Sequence, residues 1–531
     1  MPSSLRTDPA PSASPLAEAR LRGVAANPGA PSGVLLRLLD PSARSAWTVL
    51  CEGRALPAEV VEAVLVHPQR AVRAAFARNR YVAPAQRGRL VDDPDALVRQ
   101  RLAGGPRPRF GALEALPDDV LEALMTARDD DRPDQLLTAA EIATELVCSE
   151  QIPQSFRRGL IRHPNPELRA KAAGLWLSLT TEQRDALLAD PVPAVAEAAR
   201  LSSRNLDPEA MEADLPDRDC HGRNMILFNY AVSPAMAQRC LAAGRDLQSL
   251  AQNPHTPVEF LPRLAREPDP EVRARVAARA DTDPALLAEL AQDPEDTVRI
   301  RAVLHPLPRT WPERRAIDRV VGRPAEQVGP VREMFQEPET SWYEACAVSP
   351  EPVLRRVAAT CARLPQELVH RLAEDADPDV RHLLAYNHPL APPATVLDAF
   401  IATPRQRPYL LTLSRLPRTG LTHLLEHEDA EVRALAAADA GLAQPPVRHL
   451  ADPDPRVRRA AAANPLLPLD LVESTLNASF LDASILDDSL PGASDSADPD
   501  LVEGASANPA LSAERLHALL DRGGLPRVGG E

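Results

Sequence analysis

The chain has 531 residues, 44% of them hydrophobic but only 3% aromatic, and a formal net charge of −15 at neutral pH. The acidic balance speaks against broad nucleic-acid binding, which needs a basic stripe, and no uncharged apolar run approaches the ~18 residues that would span a membrane. Six isolated cysteines, Cys51, Cys148, Cys220, Cys240, Cys346 and Cys361, contain no Cys-x-x-Cys pair, so their spacing offers neither a disulfide framework nor a zinc site.

In chain order, Met1 to Ala19 lacks the apolar core of a signal peptide and reads as a disordered lead-in. From 20 to 475 the chain is organised by a recurring unit. Its marker is an apolar residue followed by Arg, as in Glu267-Pro-Asp-Pro-Glu-Val-Arg273 and Asp452-Pro-Asp-Pro-Arg-Val-Arg458. The apolar position falls at Val72, Val98, Leu168, Val195, Val272, Val298, Leu354, Val380, Val432 and Val457, with Ala196 in place of the Arg after Val195. The steps 72→98, 272→298 and 354→380 are each 26, and 380→432 is two periods with a degenerate copy, 403–409, between. A fixed period of this size predicts stacked repeats.

Each unit predicts two short helices. The first opens at Asp269-Pro270, with Pro at a position where its missing N–H costs nothing, and carries Val272, Val276 and Ala280 on one face. The second opens at Asp283-Pro284 and carries Leu287, Leu290 and Ala291. Asn-Pro marks the turn in several copies, at Asn27, Asn253, Asn464 and Asn508. Helices this short are marginal alone, so stability must come from the array. Segments 106–160, 203–250 and 306–345 depart from the pattern. Beyond it, 476–506 reads as a flexible acidic linker, since Ala460 to Glu514 holds no Lys or Arg. Residues 507–522 read as a terminal half-repeat and 523–531 as a disordered tail.

Asp-Pro-x-x-x-Val-Arg, then Ala-x-Asn-Pro-x-x-Pro, then Leu-x-x-Leu-Ala resembles the leucine-rich repeat variant, a relative of HEAT repeats. The resemblance is strongest at 251–305 and 346–475. It implies an all-α, right-handed α-solenoid of about 26-residue two-helix repeats, with α- and 3₁₀-helices alternating. The family's founding member carries an amino-terminal iron–sulfur cluster on clustered cysteines. This chain has only Cys51 in its first hundred residues, so no cofactor is carried over.

Several constellations compete as sites. A ladder of arginines, Arg73, Arg99, Arg169, Arg273, Arg299, Arg355, Arg381, Arg433 and Arg458, has a polar residue four positions before each. That spacing predicts structural pairs along each helix. His423-Leu-Leu-Glu-His427 matches an inverted zinc motif. It overlays the ordinary unit at Arg263, Arg266 and Glu267 without a gap, so it reads as solvent-side variation. Asp219-Cys-His-Gly-Arg-Asn224 could hold a Cys–His pair, and reads as a turn entering a degenerate repeat. Arg299, Arg301, Arg309, Arg314, Arg315, Arg319 and Arg323 make one basic patch, read as a solvated face. Trp311, Phe335, Trp342 and Tyr343 either anchor a partner or plug the core where the repeat fails.

The reading is a non-catalytic scaffold, not an enzyme, holding an unidentified protein partner without nucleic acid or membrane, soluble and cytoplasmic. Its candidate contacts are Arg301, Arg309, Trp311, Arg314, Arg315, Trp342 and Tyr343. The alternative is a HEAT-like enzyme or ligand-binding protein, of DNA-base or chromophore type, using the 299–345 block.

Overall fold

The computed structural model describes residues 14–106, 114–129, 137–149, 151–279, 281–304, 310–331, 337–481 and 498–527. The described residues are all-helical, with no strand among them, and no described helix is long and apolar enough to cross a membrane. They fall into two compact units, 1–152 with 400–531, and 153–399.

Local chemistry explains the helices. Asp269 caps Pro270–Ala277 by accepting from the Glu271 N–H at 2.9 Å, with Pro270 in the first turn. Asp377, Asp454 and Asp498 repeat that arrangement at Pro378–Asn387, Pro455–Ala462 and Pro499–Ser506. The cap satisfies one of the orphan N–H groups at each helix start. The second element varies: Pro284–Leu290 and Gln366–Ala373 are α-helical, whereas Thr422–Leu424 and Val447–Ala451 are 3₁₀.

In the 153–399 unit, first helices stack on first helices: Leu247–Gln252 on Pro270–Ala277, and that on Asp296–Val303. Val272, Val276 and Val298 share one core with Leu286 and Leu290. Leu286 is buried where the sequence suggested Leu287, which is only partly buried; Ala280 lies outside the described residues. The irregular stretch 203–250 is helical throughout much of its length, as His221–Asn229, Pro234–Ala243 and Leu247–Gln252.

The other unit joins the two ends of the chain. Helix Pro499–Ser506 packs on Pro455–Ala462 on one side and on Pro15–Ala26 on the other. Two glycines permit the approach. A Cβ on Gly504 would stand 2.2 Å from the Arg459 carbonyl oxygen, and one on Gly23 2.2 Å from that of Glu503. Arg22 Nε donates to Glu503 at 2.8 Å. Buried Arg37, from Ser32–Arg37, donates to the Asp521 carboxylate at 2.6 Å and to the carbonyls of His517, Leu525 and Pro526.

These contacts correct the expected boundaries. Helix structure begins at Pro15, inside the expected lead-in. Leu469–Leu481 and Pro499–Ser506 occupy both ends of the stretch read as a linker, leaving 482–497 outside the described residues. Ala513–Arg522 does not stand alone: it packs on Ser32–Arg37 and Pro15–Ala26, and 523–527 contributes carbonyls to Arg37. The signal was weak because Val502 is followed by Glu503 instead of the marker Arg. Segment 106–160 likewise contains Asp118–Thr126, Ala139–Ser149 and Gln154–Gly159.

Candidate anion-binding site

The arginine ladder is the first place to look, and its partners differ from those the helix spacing suggested. Arg73, Arg169, Arg273, Arg355 and Arg433 each grip an Asp in the following turn through two guanidinium nitrogens: Asp93, Asp190, Asp293, Asp375 and Asp452, at 2.6–3.1 Å. Arg458 reaches Asp498 at 2.5 Å. The residue four positions earlier is occupied as a helix cap where it is Asp or Asn, as at Asp269, so the carboxylate must come from farther along the chain.

The pattern propagates. Asp293 receives Arg273 on its carboxylate, while its carbonyl receives Arg299 at 2.6 Å. Asp93, Asp375 and Asp452 do the same with Arg99, Arg381 and Arg458. Two rungs escaped the sequence. Buried Arg407, one period before Arg433, bonds Asp429 at 2.8 Å and the Phe400 carbonyl at 2.8 Å. Arg223 bonds Asp246 at 2.6 and 3.0 Å. Asp246 holds its carboxylate there from a left-handed backbone, φ 62°, which Asp tolerates better than most residues. This places Arg223 of the Cys220–His221 block in structural work.

A second ladder runs through the turns. Asn253 donates to the carbonyls of Leu227 and Tyr230 at 2.8 and 2.7 Å, and accepts from the His255 N–H. Asn79, Asn464 and Asn508 bridge the same way. Asn27 donates to the carbonyls of Ser506 and Asn508. The sequence marked most of these as turns, but not as bridges.

The His-x-x-Glu-His motif is dispersed. His427 Nδ1 accepts from the Asp429 N–H at 3.0 Å, and Glu426 pairs with Arg448. Among the described residues no group of three or more His, Cys, Asp or Glu side chains is placed to hold a metal.

One cavity, of about 260 Å³, gathers charge in the 153–399 unit. Helix Pro270–Ala277 brings Glu271 and Arg275, Asp296–Val303 brings Arg301, and Trp311–Val320 brings Arg314, Arg315, Asp318 and Arg319. Arg279, Arg323, Gln252 and Phe228 complete much of the wall. Arg275 and Arg301 are one 26-residue period apart, so stacking brings them to one side. Arg301, Arg314 and Arg315 therefore line a cavity instead of a solvated face. The break before Trp311 interrupts the 26-residue phase, so periodicity could not place the third helix.

The walls are electrostatically strained. Arg275 bonds Gln252 and pairs with Glu271 at 3.0 Å. Arg279 is held by Asp281 at 2.6 and 2.8 Å, and Arg319 by Glu337 at 3.0 Å. Arg301 is 13% exposed and stands 3.7 Å from Glu271 and 3.6 Å from Asp318. Its Nε and Nη1 are buried and make no hydrogen bond. A buried unmet donor costs roughly 1–3 kcal/mol. Burial lowers the pKa of Arg314 and Arg315 and raises that of Asp318, the last partly offset by Arg301, Arg275 and Arg314. Among the described lining residues seven are arginines and two, Glu271 and Asp318, are acidic.

Trp342 and Tyr343 do not line this cavity. Tyr343 is buried, donates to Glu337 at 2.8 Å and meets the Trp342 ring edge-on at 5.3 Å. Trp311 begins the helix Trp311–Val320, while Arg309 and Phe335 lie outside the described residues. No protein-family model matches the chain, and no curated protein matches it significantly.

Proposed function

We propose that this chain is a non-catalytic interaction scaffold, and that the arginine-lined cavity is where a protein partner is held through an acidic group. Within each unit the helices are read as right-handed solenoid repeats of about 26 residues, of the leucine-rich-repeat-variant kind. The recurring Arg–Asp and Asn–carbonyl bridges support that reading. The observation that carries the function is the gathering of arginines around one cavity, with Arg301 poised between two carboxylates and hydrogen-bonded to neither.

Size and lining weigh against the enzyme alternative. About 260 Å³ is below the roughly 300–1,000 Å³ of sites that enclose drug-sized ligands, and a chromophore would need more. Phe228 is the one aromatic among the described lining residues, whereas base recognition uses aromatic platforms.

Copurification with the full chain as bait tests the scaffold. A specific partner should be lost on the double change Arg314→Glu and Arg315→Glu, and kept by Arg371→Glu, an exposed position on Gln366–Ala373. Equal capture by all three chains, or turnover of a substrate by the purified chain, would sink the reading.

A further inference from the structure

We infer that the cavity is a phosphoryl-binding site, and that the partner presents a phosphorylated side chain to it. The source of the ligand rests on the scaffold reading above; its chemistry rests on the cavity alone.

Charge selects the ligand. Arginine predominates over acid among the described lining residues, and a phosphate monoester, close to a dianion at neutral pH, answers such a lining with about twice the charge of a carboxylate. Shape agrees. Planar guanidiniums present paired N–H donors that match two phosphate oxygens at once, and they enter from two directions. Arg275 and Arg301 come from successive stacked helices, and Arg314 and Arg315 from Trp311–Val320.

Arg301 identifies the centre. Its side chain is largely buried, its Nε and Nη1 have no hydrogen-bond acceptor, and the nearest carboxylate oxygens stop at 3.6 and 3.7 Å. An oxyanion in the cavity would supply the missing acceptor. A water's share of liquid volume is about 30 Å³, so about 260 Å³ accommodates a tetrahedral phosphoryl group, its ester linkage and a few waters.

Calorimetry on the full chain tests this with three probes: a capped tripeptide carrying phosphoserine, its glutamate counterpart, and inorganic phosphate. The phosphopeptide should bind at least tenfold more tightly than the glutamate peptide. Arg301→Met should weaken it at least tenfold, and Arg301→Lys, which keeps charge but not the fork, should restore only part. Should Arg301→Met melt early, Arg323→Met on the exposed rim replaces it and should weaken binding severalfold. No binding, equal binding of the glutamate peptide, or affinity unchanged in folded variants would overturn the site. Phosphate binding as tightly as the phosphopeptide would overturn the phosphorylated-partner source while supporting the phosphoryl site. A chain that binds the phosphopeptide yet captures no partner would fail the scaffold reading alone.

Discussion

Asp293 shows how much one residue carries. Its carboxylate holds Arg273 through two bonds, its Oδ1 also accepts the Glu295 N–H, and its carbonyl holds Arg299. Asp293→Ala removes the acceptor and leaves the largely buried Arg273 guanidinium short of a partner. It should cost about 2 kcal/mol, read as a lower urea midpoint. Glu289→Ala, at an exposed pair with Arg266, should leave the midpoint unchanged. The same bonds set a pH dependence. The Arg273 and Arg433 guanidiniums hold the Asp293 and Asp452 carboxyls below the usual range, and Arg456 holds Asp454 at about 2. A depressed carboxyl contributes stability above its unfolded value, near 3.9, and loses it as pH falls through the folded value. Thermal stability should therefore decline below about pH 4 and continue falling toward pH 2. A flat profile across that window would contradict the ladder. The sequence announced Arg273 but not Asp293 as its partner. The i−4 rule applies inside a helix, and this pair joins helix Pro270–Ala277 to the turn before Asp296–Val303.

At the scale of helices, spacing between neighbours is set by side chains as small as a hydrogen. Gly504 lets Pro499–Ser506 lie against the backbone of Pro455–Ala462, its absent Cβ only 2.2 Å from the Arg459 carbonyl. Gly504→Val must push the helices apart and disturb Arg458–Asp498 and the Asn508 bridge. Overpacking of this sort costs about 1–3 kcal/mol, and differential scanning should show a lower melting temperature. Gly159→Ala, with nothing within 4 Å of the new Cβ, is the matched control and should not melt earlier. Helix positions were legible where Asp-Pro was followed by the apolar–Arg marker, as at Asp269 and Asp454. Pro499–Ser506 was obscured because an acidic, Arg-free composition resembles a linker. Its burial comes from neighbours the composition does not reveal.

For the molecule as a whole, the unit built from 1–152 and 400–531 is not ordered by sequence alone. Asn27 bridges to Ser506 and Asn508 as Asn508 bridges to Ala462 and Asn464. Helix Pro499–Ser506 thus serves as the stacking neighbour of Pro15–Ala26. Ending the chain at Ala497 should raise hydrogen exchange across Pro15–Ala26 and Ser32–Arg37, while Pro270–Ala277 in the other unit keeps its protection. Unchanged exchange at the amino terminus would refute this junction. Sequence by itself determined the helical class and the burial of the apolar marker positions such as Val272 and Val298, because caps and apolar spacing act over a few residues. Only the tertiary structure decided which Asp each Arg meets, that the two ends share a seam, and that Arg275, Arg301, Arg314 and Arg315 face one cavity. Those outcomes depend on groups brought together across tens to hundreds of residues, where no local preference operates.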